Sequence, residues 1–132
     1  MSVQLNEECI ALLDSVDSVN LNDAATSQLV YTVPTGKKCV LDHVRIRNLT
    51  ATAASCTCTI GQLGALTDFL NTQTLSALNA AAATGKLTPV PHATTPKAIE
   101  YAAGTQLYFD VVVAAGSACL ATIEFFGTLK NA

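Results

Sequence analysis

Lys97-Ala-Ile-Glu-Tyr-Ala-Ala-Gly-Thr-Gln-Leu-Tyr-Phe-Asp-Val-Val-Val113, followed by Ala114-Ala-Gly-Ser117 and Ala118-Cys-Leu-Ala-Thr-Ile-Glu-Phe-Phe-Gly127, is the stretch that decides the fold. Leu107, Phe109, Val111 and Val113 fall on one face of an extended chain, with Tyr108, Asp110 and Val112 on the other. Cys119, Ala121, Ile123 and Phe125 alternate in the same way with Leu120, Thr122, Glu124 and Phe126. Successive strand side chains point to opposite sheet faces, so this period of two marks half-buried β-strands. The short Ala-Ala-Gly-Ser connector predicts a hairpin that pairs the two strands directly.

Working toward the N-terminus, Gln28–Val33 reads as a strand that stops at Pro34-Thr-Gly36, a turn by its proline and glycine. Cys39–Asn48 is a longer β-branched strand. Its Val40, Val44 and Ile46 share one face, and Leu41, His43, Arg45 and Arg47 the other. Asp42 interrupts the apolar face, which predicts a β-bulge or a satisfied hydrogen bond there. Ser55–Gly61 is a fourth strand, and residues 8–13 begin a first one before the polar Asp14–Asn22 stretch. The middle is the least β-like region. Asn71–Ala83 joins cap-type residues to an alanine run and predicts one short helix around 73–82, with Leu75 and Leu78 against the core and Gly85 as its stop. Pro89, Pro91 and Pro96 bound a loop or an edge strand. Gly61, Gly64 and Gly104 read as turn positions.

The expected class is all-β: an antiparallel β-sandwich, jelly-roll-like, with that single helical insertion. The 132 residues make one domain, 23–132, preceded by an N-terminal strand or arm over residues 1–22, whose intrinsic structure is weak. A chain of this length hides about two thirds of its unfolded surface, enough for one core without staples. Half of the residues are hydrophobic, but 21 are alanine, so the core is aliphatic and modest.

Charged residues make up 13%, against about 25% in ordinary soluble domains. Thr, Ser, Asn, Gln and Ala take their place, and these desolvate more cheaply than charge. Such a surface is expected of a subunit covered by neighbours, the alternative being a secreted or extracellular β domain with a neutral skin. The net charge of −3 argues against direct nucleic-acid binding, which needs a basic face. No run approaches eighteen apolar residues, so no membrane-spanning segment is expected. Met1–Glu8 lacks the basic and apolar regions of a secretory signal, which places the chain in the cytoplasm or inside something that leaves it.

Little in the sequence points to chemistry. The five cysteines (Cys9, Cys39, Cys56, Cys58, Cys119) lack zinc-type spacing and read as buried thiols acting as small hydrophobes. His43 and Asp42, adjacent on a strand, are expected to point to opposite faces and form no dyad; His92 follows a proline in a loop. Nucleophile elbows, phosphate loops and His-Glu-x-x-His motifs are missing, so neither enzyme activity nor a cofactor is expected. Asn48-Leu-Thr50 matches a glycosylation sequon by chance. The one electrostatic cluster, Lys37, Lys38, His43, Arg45 and Arg47, is the candidate partner-contact patch.

Val33-Pro-Thr-Gly-Lys-Lys-Cys-Val-Leu-Asp-His-Val-Arg-Ile-Arg-Asn48, Thr74-Leu-Ser-Ala-Leu-Asn79, and Glu100-Tyr-Ala-Ala-Gly-Thr-Gln-Leu-Tyr-Phe-Asp-Val111 with Phe126-Gly127 resemble a group of small virion proteins of tailed bacteriophages. The resemblance spans residues 28–128. It implies a capsid decoration or cement subunit, a homo-oligomer that binds the major capsid protein or other virion proteins after assembly in the host cytoplasm. It carries no catalytic residues. A neck or tail-junction protein and a receptor- or carbohydrate-binding module are the rival roles.

Overall fold

The computed structural model describes residues 9–90 and 99–132. Among the described residues nine strands, β1 (Ala11–Asn20), β2 (Ser27–Thr32), β3 (Lys37–Arg47), β4 (Thr57–Gln62), β5 (Ala65–Thr74), β6 (Gly85–Leu87), β7 (Glu100–Tyr101), β8 (Gln106–Val113) and β9 (Leu120–Asn131), form two antiparallel sheets. One has the order β1-β9-β3-β6, with β7 also paired to β3; the other has the order β2-β8-β4-β5. The chain passes back and forth between the sheets, as in a jelly roll. Among the described residues there is no helix, and none long and apolar enough to cross a membrane. The expected loop or edge strand bounded by Pro91 and Pro96, with His92, falls outside the described residues, as does the start of the N-terminal arm.

The expected hairpin is not formed. β8 pairs with β2 and β4, whereas β9 pairs with β1 and β3 in the opposite sheet. The alternation holds through Val111 and along β9: Leu107, Phe109, Val111, Cys119, Ala121, Ile123 and Phe125 are all at most 1% exposed, whereas Val113, expected on the same face, is 50% exposed beyond a register shift against β4. A period of two states that one face is buried, however, and does not say which strand shares the hydrogen bonds. The apolar faces of β8 and β9 meet across the core instead, and residues 114–119 carry the chain over the ~10 Å between packed sheets. The N-terminal half of the quoted stretch is also divided. Glu100-Tyr101 joins β3, then a turn at Ala102–Thr105 with Gly104 at φ 84° sends β8 into the other sheet.

The bulge at Asp42 is present: the β3–β9 register slips between Leu41↔Gly127 and His43↔Phe126. An extra residue inverts the parity beyond it. The inward set is therefore Cys39, Leu41, Val44 and Ile46, all at most 4% exposed, and Val40 lies on the outer side. This corrects the grouping of Val40 with Val44 and Ile46.

The predicted helix at 73–82 is absent. β5 holds Gln73 and Thr74 in register with Cys58 and Thr57 of β4. Leu75 N–H then donates to Cys56 O, Leu78 O accepts from Ala53 N–H, and Ala82 N–H, at a residue with φ 64°, donates to Leu49 O. Each of these bonds ties the segment to the neighbouring loop at 49–56. Alanine's helical preference is worth only tenths of a kcal/mol per residue, the nucleus is costly, and the exposed Ala80–Ala82 run has no apolar face to bury. Leu75 and Leu78 do enter the core, at 2% and 3% exposure. Gly85, instead of capping a helix, opens β6, where a Cβ would come within 2.8 Å of Leu78 Cδ2.

A buried polar tie joins the sheets. Asp68 of β5 accepts hydrogen bonds from Tyr101 Oη at 2.9 Å, Gln62 Nε2 at 2.7 Å and Gln62 N–H at 3.3 Å. Burial, then the neighbouring Asp68 carboxylate, pushes the Tyr101 phenol above its ordinary pKa, so it remains a donor. Gly61 makes room for this arrangement: a Cβ there would lie 2.4 Å from Ala65 O and 2.6 Å from Asp68 Oδ1. Of the glycines read as turn positions, Gly64 and Gly104 are in turns, and Gly61 is a close-approach position inside β4.

Candidate functional site

Beyond the bulge, His43, Arg45 and Arg47 of β3 share the outer face of their sheet, opposite Phe126, Glu124 and Thr122 of β9. The register converts the alternating charges of two strands into a cluster. Arg45 Nε donates to Glu124 Oε1 at 2.6 Å. Arg47 Nε lies 3.0 Å from the same oxygen, ion-paired with it but making no hydrogen bond. Glu124 is only 3% exposed although it faces outward from its sheet, beside the two guanidinium groups. The Arg45 hydrogen bond holds its carboxyl below the ordinary carboxylate pKa against the upward push of burial, and Arg47 adds to the lowering.

The His43 ring stacks on Phe126 with centroids 4.6 Å apart and planes 7° apart, and Arg45 Cζ lies 5.3 Å from the same ring centre. Phe126 thus contacts both the imidazole and the guanidinium, the latter a cation–π arrangement for Arg45. His43 Nδ1 is 2.7 Å from Asp42 Oδ2. The expectation that these neighbours point to opposite faces is overturned, because a bulge turns two successive side chains to the same side. Among the described residues no hydroxyl or thiol is hydrogen-bonded to His43. Further along, Thr122 Oγ1 donates to Asp17 Oδ1 at 3.0 Å and accepts from Asn48 Nδ2 at 3.4 Å, tying β1 to the same face.

The two lysines of the candidate patch lie at the far end of β3. Lys38 is exposed on the outer face, in register with Lys130, whose ammonium is 3.4 Å from Glu100. Lys37 follows the opposite parity, and its Nζ donates to Asn131 Oδ1 at 2.7 Å. The structure therefore gathers His43, Arg45 and Arg47 and leaves Lys37 and Lys38 apart from them. Glu124 and Phe126 were missed from sequence. Their signal was present, a carboxylate and an aromatic alternating on the polar side of β9, but nothing in the chain states which strand they oppose.

Four of the five cysteines (Cys39, Cys56, Cys58 and Cys119) are buried free thiols, and Cys9 is exposed. Burial raises the Cys39 and Cys56 thiols to about 11 and Cys58 further. Among the described residues no three His, Cys, Asp or Glu side chains are grouped as metal ligands.

No family model matches the chain, and no curated protein is similar to it in sequence. Among solved structures it is similar to a chain of the cyanophage Pam1 capsid asymmetric unit, at a TM-score of 0.50 and 16% identity over 90% of this chain and 84% of that one. At that identity the likeness speaks to fold alone. A chain from the full particle of heated Israeli acute paralysis virus aligns at a TM-score of 0.31 with 14% identity, over 97% of this chain and 73% of that one, too distant to bear on the fold.

Proposed function

We propose that this protein is a non-enzymatic structural component of a virion, and specifically a decoration or cement subunit on the assembled shell. The observation that carries the reading is how charge is divided between the sheets. Six of the seven Lys and Arg residues lie on β3, β6 and β9 of one sheet, and the seventh, Lys97, is outside the described residues. The strands of the other sheet contain no basic residue, and their only charges are the buried Asp68 and the half-buried Asp110. A sandwich with one charged and one nearly neutral broad face is suited to being clasped between neighbours. The neutral face desolvates cheaply, and the charged face sets orientation and encounter rate. The fold shared with a cyanophage capsid chain and the resemblance to tailed-phage virion proteins support the same reading.

The action is mechanical. A subunit that touches adjacent capsomers binds the assembled shell better than its separate parts, and by linkage that difference stabilises the shell. Interfaces of ~1,200–2,000 Å² in total are enough for specific docking. Lys38 is the best probe of the charged face, since Lys37 follows the opposite parity and Arg45 and Arg47 are engaged with Glu124. Lys38→Glu should weaken attachment to purified particles several-fold and leave the thermal midpoint unchanged. Full occupancy by this variant would remove the patch from the reading. Particles that never take up the wild-type chain would remove the reading itself.

A further inference from the structure

The outer face of the β1-β9-β3 sheet is not polar throughout. Leu12 of β1, Phe126 of β9 and His43 of β3 are in register across it, and the next row sets Val40 of β3 beside Thr128 of β9. Leu12 is 50% exposed and Ile10, where the chain enters β1, is 53% exposed, while Phe126 and Val40 are half-buried. Large aliphatic side chains left in solvent therefore adjoin an aromatic ring on one face. Charged rows bound this patch at both ends: Lys38 and Lys130 at one, Glu124 and Arg45 at the other. An apolar centre within a polar rim is the anatomy of a protein–protein contact.

The rim fixes the sign of what can meet it. Each carboxylate on this face has a partner within the molecule: Glu124 the two arginines, Glu100 the Lys130 ammonium, Asp42 the His43 ring and Asp17 the Thr122 hydroxyl. Among the described residues Lys38 and Lys86, both exposed on this side, have no such partner, and two guanidiniums share the one Glu124 carboxylate. The uncompensated charge is positive. We infer that this face holds the shell contact, with Leu12 and Phe126 at its centre, and that its partner is a different virion protein presenting an apolar side chain among carboxylates. The assignment deepens the virion reading and rests on it. A second copy does not match. Its corresponding face would bring cations against cations, and the strands of its other sheet offer only the half-buried Asp110 as an outward charge. The exposed Asp17 and Glu100 on the same face oppose an anionic lipid surface.

Attachment of the full chain to purified particles, read by co-sedimentation across a salt series, tests this. Leu12→Ala and Ile10→Ala should each weaken attachment about tenfold, the loss expected at the centre of a contact. That loss should persist at ~1 M salt, where the screening length is only ~3 Å. Glu100→Gln frees the Lys130 ammonium and should tighten attachment about threefold at low salt, the scale of one exposed ion pair. All three side chains are exposed, so circular dichroism melts should be unchanged. Wild-type attachment that neither aliphatic variant weakens overturns the inference and leaves the virion reading standing. Particles that never take up the wild-type chain overturn both. Weakened attachment of Glu100→Gln would give the partner the opposite sign and overturn the acidic rim. A wild-type oligomer that Leu12→Ala dissociates in sedimentation velocity would assign the patch to a second copy, and wild-type binding to phosphatidylserine vesicles that Leu12→Ala abolishes would assign it to lipid; either result overturns the inference.

Discussion

Glu124 is the residue on which the outer face of β3 and β9 depends, and its chemistry gives a pH signature. Its pKa is lowered in the folded chain, so its contribution to stability is fully present above the unfolded carboxylate pKa and is lost as pH falls through the lower, folded value. Wild-type stability should therefore decline on acidification through that window, measured by chemical denaturation at a series of pH values. Glu124→Gln should cost about 1.5–3 kcal/mol at neutral pH, the range for a hydrogen bond to a charged group, and should flatten the acid decline. An unchanged acid profile would mean that the two arginines are satisfied by solvent alone. Arg45→Glu with Arg47→Glu, which sequence suggests as a surface probe of docking, is no such thing here. It would set three carboxylates together under partial cover, so lost attachment would report lost folding.

At the scale of elements, the sandwich places its demands on particular backbone contacts. In β4, Gly61→Ala would drive a methyl to 2.4 Å from the Ala65 carbonyl, and in β9, Gly127→Ala to 2.4 Å from the Val40 carbonyl, where backbone must move. Each should cost about 1–3 kcal/mol. Gly85→Ala meets the end of the flexible Leu78 side chain first, and should cost less than either. Equal losses at all three positions would refute the distinction between backbone and side-chain clash. Phe109, fully buried on β8, should lose about 3–5 kcal/mol on truncation to Ala, whichever strand β8 pairs with. The elements were legible where the period was strong: β2, β3, β4, β8 and β9 are all near their expected places. β5 was not. Its Asp68 and Thr67 interrupt the apolar pattern, because Asp68 turns inward to Tyr101 on a strand that sequence places 33 residues away.

The whole molecule presents one exposed thiol and four buried ones. Thiol titration of the native chain should therefore find one fast-reacting group per subunit, Cys9, and five after denaturation. Several fast groups in the native state would mean that the core opens readily. Read alone, the chain determined its class and its interior, since a period of two and the placing of Leu, Ile, Val and Phe follow from how each residue's own backbone is pleated. It also determined the low charge that makes a covered surface plausible. Pairing was another matter. Which strand lies beside which depends on contacts between residues far apart in sequence, so only the tertiary structure put β8 and β9 in opposite sheets, joined Asp42 to His43 across a bulge, and brought Glu124 under two arginines. The same limit undid the helix at 73–82: local preference is worth tenths of a kcal/mol per residue, and hydrogen bonds to a distant loop outweighed it.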